Sequence, residues 1–450
     1  MRRFAAKVFV LIGAGATLGA ILLIGCRQET TSNTVSTAPE KKVAEGRVLS
    51  VIPDDTQNLF QIDFSAQGEG VAFVQESAGK VRVVLNGKTG KFYQSIGTMI
   101  ISPDGRRVAY NAFDGDKWRI VIDEKEYPAE GEIGSPVFSP DSRHVAYESR
   151  VDNSWRIIID EDKYLQGQPD YFYHDKFFSS DSKNIITVES TEHNGNIYRV
   201  AVSSLTLKQL SVINVQGKNL GFNKEKTMMA FIEEKKGKQR LAICDVGRLD
   251  DVKYSSLYDH IIRYVFIEAS DAIVYIAERA KKRYLVMHGT EVEIPNADMI
   301  EHLTARPDKD AAVLIMNSHD GSYLYQSERN KSTKGKVYEE ITHLIYSKDA
   351  SSHVCVAKKR NKVFIVVNGK EGPAFDMVVS PIFSPDEKFL VYRARKDGKR
   401  FVVVADTRGK TITQQPSYEQ VFQPVFTADG KSVAYGVKDG NKLIWKVEKL

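Results

Sequence analysis

The sequence predicts an all-β fold, a β-propeller of about ten four-stranded repeats of ~40 residues each. Three observations carry that expectation. One phrase recurs: "ISPDGRRVAYNAF" from Ile101, "FSPDSRHVAYESR" from Phe138, "FSPDEKFLVYRAR" from Phe383 and "FTADGKSVAYGVK" from Phe426. Anchored on its Asp, the series runs Gln67, Asp104, Asp141, Asp181, Glu225, Ala269, Asp308, Asp349, Asp386 and Asp429, at intervals of 37 to 44 residues. No stretch beyond residue 26 sustains an apolar stripe of helical period for more than about two turns.

Each unit is expected to have the same parts. In the third, "SPVFS" reads as a first strand ending in a turn, where "SPDS" supplies the Ser, Pro and Asp that a type I turn favours. "HVAYES" is a second strand, "RVDNS" a polar loop and "WRIIID" a third strand. A tight turn follows, and Asn86-Gly87 and Asn368-Gly369 mark it most clearly, since Asn-Gly suits a two-residue hairpin. The fourth strand is shorter and more polar. Apolar runs such as "VAY" and "IIID" imply burial on both sheet faces, which blades stacked around an axis provide. The last unit has three clear strands, and "GRVLSVI" (46–52) is available to complete it and close the ring. One ring of ten blades and two smaller rings both fit the repeat count.

The phrase F-S-P-D-G-(K/R)-x-(I/V)-A-(Y/F) resembles the repeat of the TolB-type, WD-repeat-like propellers, and is similar to that of prolyl oligopeptidase propellers. The resemblance covers essentially the whole chain after the tether and implies a fold. The motif is structural, so it carries over no functional residues.

The N-terminus reads differently. "MRRFAAKVFVLIGAGATLGAILLIGC" has a basic start, an apolar stretch and a small residue before Cys26. It resembles a bacterial lipoprotein signal (1–25), with Cys26 lipidated and 26–46 a flexible tether. A plain cleaved signal or a single membrane anchor are the alternatives. Arg27, following Cys26, implies sorting to the outer membrane, facing periplasm or cell surface. Cys244 and Cys355 then remain, in strand-like stretches of non-adjacent units, and are expected as buried thiols.

Removing Arg2, Arg3 and Lys7 with the signal leaves 60 basic against 58 acidic residues, so overall charge does not argue for nucleic acid. The charge is instead concentrated in loops between second and third strands. Those of units five, six, eight, nine and ten sum to +14, and those of units two to four to −3. The candidate residues for an anionic partner are Lys235, Lys236, Lys238, Arg240, Lys281, Lys282, Arg283, Lys358, Lys359, Arg360, Lys362, Arg393, Arg395, Lys396, Lys399 and Arg400. The plainer account is that they keep loop tips soluble.

Catalytic motifs are missing. There is no G-x-S-x-G elbow for a peptidase, no H-x-x-x-H and no C-x-x-C. No metal or cofactor is expected. The acidic strings "DEKE" (Asp123, Glu124, Glu126) and "DEDK" (Asp160, Glu161, Asp162) read as solvated turns rather than a glycosidase pair or calcium site. Trp118 and Trp155 begin equivalent third strands, Trp445 lies two residues further along its own on the same face, and all three are expected to pack between blades. The sum is a lipid-anchored envelope protein with a non-catalytic binding scaffold for a protein or anionic polysaccharide. A propeller lyase or hydrolase acting on an acidic polysaccharide is the alternative.

Overall fold

A computed structural model describes residues 46–450 apart from 129–130, 153, 162, 169–170, 192–196, 268–271, 296–298, 307–310, 329–330, 348–351 and 428. The signal, Cys26 and most of the tether lie outside the described residues. So do Asp162 and the anchors Ala269, Asp308 and Asp349. The described residues form strands and no helix, arranged as ten antiparallel sheets. Blades 1 to 9 are residues 58–89, 95–128, 137–166, 171–216, 218–254, 260–294, 299–338, 340–375 and 377–414, each four strands in sequence order. Blade 10 takes three strands' worth of chain from 420–449, and its outermost strand is Arg47–Val51. Arg47 pairs with Trp445 and Val51 with Lys442, so the two ends of the ring are hydrogen-bonded into one sheet.

The blades form one ring. Ten apolar clusters lie one at each successive interface, from blades 1 and 2 (Val74, Val83, Met99, Tyr110) through blades 4 and 5 (Val200, Val202, Met229, Phe231). The tenth joins Leu443 of blade 10 to Val71, Phe73 and Val84 of blade 1. The wide spacings around units four to six are therefore loop insertions and not a junction between rings. Second strands such as Val71–Ser77 and Ala311–Ser318 are buried over five or six consecutive residues, because each is covered by a blade on either side. Each large apolar side chain so covered contributes about 1.5–3 kcal/mol. First strands of neighbouring blades approach one another and line the axis.

The recurring turn stitches blades together. In blade 2 the Ser102 hydroxyl donates to Asp104 Oδ1 (2.6 Å) and accepts from the Arg107 amide (2.9 Å). The Asp104 amide donates to Ser142 Oγ of blade 3 (3.0 Å), and the Asp141 amide to Ser182 Oγ of blade 4 (3.1 Å). Ser142 and Ser182 occupy the turn's left-handed position (φ 65° and 59°), where Gly105 stands in blade 2. A hydroxyl that reaches the previous blade offsets the roughly 1 kcal/mol that a side chain costs there. The Ser hydroxyls hold the Asp141, Asp181 and Asp386 carboxyls below the usual carboxylate range.

The turn after the third strand works similarly. Asn86, Asp123, Asp160 and Asn368 accept from the first amide of their own second strand (2.8, 3.1, 3.3 and 2.9 Å). The acidic strings are thus not merely solvated. Asp123 binds Arg107, Glu124 lies 3.0 Å from Lys88 of blade 1, and Glu161 lies 2.6 Å from Lys125 of blade 2. A further tie has no counterpart in the motif. The Tyr93 and Tyr258 hydroxyls, in the linkers leaving blades 1 and 5, and the Tyr338 hydroxyl, at the end of blade 7's fourth strand, donate to Glu126, Glu291 and Glu371 on the next blade's fourth strand (2.9, 2.8 and 3.0 Å).

Of the tryptophans, Trp445 packs between blades, its ring 5.9 Å from Phe64 of blade 1. Trp118 does not. It is 41% exposed at the first residue of its third strand and rests on Phe113 of its own blade (5.4 Å). Cys244 and Cys355 are free and buried, and burial pushes their thiols up to about 11 and 12.

His353 gives the fold a pH response. It is buried between blades 7 and 8, its Nε2 3.2 Å from the Gln326 amide nitrogen, and burial pushes its imidazole down to about 4. As pH falls, the unfolded chain takes up a proton near 6.5 while the folded chain does not. Stability is therefore full above about 6.5 and drains away towards about 4, by about 1.4 kcal/mol per unit of separation. His353→Gln should flatten that part of a thermal-midpoint profile between pH 4 and 7. An unchanged slope would remove His353 from the account.

Candidate binding face and channel wall

Alternation of strand direction sorts the connections onto two faces. Ser-Pro-Asp turns and the Asn-Gly-type turns share one face. The hairpins between second and third strands and the linkers between blades share the other. The sixteen basic residues singled out in sequence all lie on or beside such hairpins, in blades 5, 6, 8 and 9. Blade 7 interrupts them with His319 and Asp320, 3.4 Å apart at its own tip.

Their fates differ. Lys235, Lys236, Lys359, Arg360, Lys396 and Lys399 are exposed at hairpin tips, as are Lys281 and Arg400. Arg400 also donates to the Glu419 carbonyl (2.8 Å). Four others are partnered: Lys238 with Asp259 (3.4 Å), Lys282 with Glu293 (2.9 Å), Lys362 with Asp376 (2.7 Å), and Arg240 with Glu233. Arg240 also lies over the Tyr254 ring, 3.6 Å from its centroid. These carboxylates raise the pKa values of Lys282, Lys362 and Arg240. Arg283, Lys358 and Arg395 are half-buried. Arg393 points away from the tips, its guanidinium donating to Ser380 Oγ (3.1 Å) and to the Val421 carbonyl of blade 10 (3.1 Å).

The second feature is the channel wall, which sequence reasoning left without residues. In eight blades the ladder between first and second strands breaks at a similar level, for example at Gln61, His174, Ile262, Glu301 and His343. Four of the bulge residues, Gln61, Asn219, His343 and Ser380, have left-handed backbone (φ 36° to 54°). A bulge re-aims side chains, and these bulges lie on the first strands, which line the axis. In blades 1 and 2 the polar groups are used up between blades: Gln61 bonds both backbone groups of Met99, and Thr98 bonds Ser135 Oγ (3.0 Å). Between blades 5 and 6 a groove of about 560 Å³ opens, lined by Asn219–Lys224 and Ile262–Phe266. Ionisable side chains also stand on first strands of blades 1, 4, 5, 6, 7 and 8, among them Asp63, Asp175, Lys218, Arg263, His302 and His343. A period of ~40 residues between first-strand positions was the available signal, but a bulge shifts the register by one or two residues and hides it. Among the described residues no group of three or more His, Cys, Asp or Glu is placed to hold a metal ion.

No protein-family model matches the chain, and no curated protein matches it in sequence. Solved structures are similar to it in outline. A eukaryotic initiation factor is 9% identical, with 83% of this chain and 92% of that one covered and a TM-score of 0.45. The Dos1 propeller is 11% identical, with 90% and 95% covered and a TM-score of 0.39. A prolyl endopeptidase structure is 14% identical, with 76% and 55% covered and a TM-score of 0.32.

Proposed function

We propose that this chain is a lipid-anchored protein of the bacterial cell envelope whose ten-bladed ring is a non-catalytic scaffold. Its hairpin face binds an acidic protein surface or an anionic envelope polymer. The observation that carries the reading is the distribution of charge. Lys235, Lys236, Lys359, Arg360, Lys396 and Lys399 stand exposed on one face, while carboxylates of the opposite face are tied to basic groups. Cations on separate rigid tips attract an anionic partner without first having to order themselves. The anchor rests on the signal and Cys26 and the outer-membrane location on Arg27, and the resemblance to TolB-type propellers supports an envelope role by analogy.

Reversing those six residues to Glu should cut partner capture by tenfold or more in intact-cell crosslinking read by mass spectrometry. A tenfold loss is about 1.4 kcal/mol, a modest demand on six charges. A protein captured by wild type and lost on reversal supports the scaffold. Capture that ignores the reversal sinks the hairpin face as the site. The ionisable groups on the channel wall favour a second reading, a lyase or hydrolase for an acidic polysaccharide. It requires bond cleavage that is lost when His302 and His343 become Gln.

A further inference from the structure

The channel wall of blades 6 to 9 gathers basic side chains from four successive blades. Arg263 and His302 each follow directly on the bulge of their first strand, so blades 6 and 7 present a basic side chain at the same level. His343 lies inside the bulge of blade 8, and Arg393 reaches Ser380 inside the bulge of blade 9. Four consecutive blades thus set a guanidinium or imidazole side by side, because neighbouring first strands converge on the axis. We propose that this arc binds the carboxylate or phosphate group of a small ligand in the channel, independently of the hairpin face.

The surroundings fit that chemistry. His302 and His343 are held below the usual imidazole range, first by burial and then by Arg263 and Arg393 respectively. The arc is therefore a region of positive potential that an anion would relieve. Two acids act on the imidazoles, Glu301 on the adjoining His302 and Glu340 on His343, each raising its pKa against the larger effect of burial. Glu301 accepts from the Asn317 amide (2.7 Å) and is exposed. With anion-binding nitrogens flanked by carboxylates, the wall suits a ligand that carries hydroxyls beside its acid group, since a carboxylate accepts from a hydroxyl. The left-handed backbone of His343 (φ 53°) and Ser380 (φ 54°) is a conformation that non-glycine residues adopt at a cost. Gln61 and Asn219, in the bulges of blades 1 and 5, adopt it as well, while the one-residue bulges of blades 6 and 7 do without it.

The test is NMR observation of the His302 and His343 ring protons while sodium glucuronate, inorganic phosphate or glucose is added to the folded protein. Saturable shifts with glucuronate or phosphate, and none with glucose, are expected. Tighter binding of glucuronate assigns the source to an acidic sugar, and tighter phosphate to a phosphoryl group. Arg263→Gln should weaken the response tenfold or more, and His343→Gln provides the same reading at the other imidazole if the first variant folds poorly. The six-residue hairpin reversal should leave it unchanged, which separates this site from the scaffold reading. Absence of shifts with both anions, or shifts abolished by the hairpin reversal and untouched by Arg263→Gln, overturns the proposal.

Discussion

Lys176→Met, with Glu148 left in place, is expected to lower stability by about 3–5 kcal/mol, the cost of stranding one charge of a buried pair. Lys176 Nζ of blade 4 lies 2.6 Å from Glu148 Oε2 of blade 3, with side-chain exposures of 5% and 12%. No solvent is at hand to replace the lost partner, so the carboxylate must stay charged and unpaired or take up a proton. Gly134 shows how tightly that carboxylate is held, since a Cβ there would stand 2.0 Å from Glu148 Oε2. Replacing both partners, Glu148→Leu with Lys176→Met, should return most of the loss, because two apolar groups need no partner. Urea unfolding, with amide exchange at Ala146–Ser149, measures both variants. A single variant as stable as wild type would falsify the buried-pair account. A double variant no better than the single would trace the loss to packing.

Deleting residues up to Val51 is expected to open the ring at blade 10 and leave the far side intact. Arg47–Val51 supplies the fourth strand, and it is followed by Ile52, buried against Leu443, Val71, Phe73 and Val84. Ile52 stays in the shortened chain but loses the strand that positions it, and its burial contributes about 1.5–3 kcal/mol. The closing sheet has no slack. A Cβ on Gly436 would lie 2.5 Å from the Phe64 ring, which packs 4.9 Å from Phe422 and 5.9 Å from Trp445. In a repeat ring each blade is stabilised mainly by its neighbours, so the damage should stay local. Hydrogen exchange should lose protection at Ser432–Asp439 and Lys442–Lys449 and keep it at Met228–Lys235 in blade 5. Uniform loss throughout would mean that the ring unfolds as one unit. Full protection at the C-terminal strands would mean that the closing strand is dispensable.

Much of this architecture is legible in the sequence, for a local reason. Turn chemistry depends on the few residues that make the turn, so Ser139-Pro140-Asp141 and Asn368-Gly369 announce themselves. Two-sided burial writes an unbroken apolar run, so Val145-Ala146-Tyr147 marks a second strand wherever it occurs. The missing strand of the last unit and the spare "GRVLSVI" at the start could be matched by counting alone.

Tertiary structure decided the rest. Whether ten units close as one ring or two depends on the wedge angle between packed sheets, a sum of many side-chain volumes that no motif encodes. The tyrosine–glutamate ties join groups 33 residues apart that only blade stacking brings together. Among the basic residues, Arg393 and Lys396 look alike in the string "RARKDGKR", yet one turns to the axis and the other stands at the tip. The difference follows from strand pairing, since Arg393 sits opposite Val402 inside the ladder and Lys396 sits at its end opposite Lys399. By itself the sequence determined the repeat, its turns and the closing strand, because those are contacts within a unit. Which charges face solvent and which face the channel was settled by contacts between units.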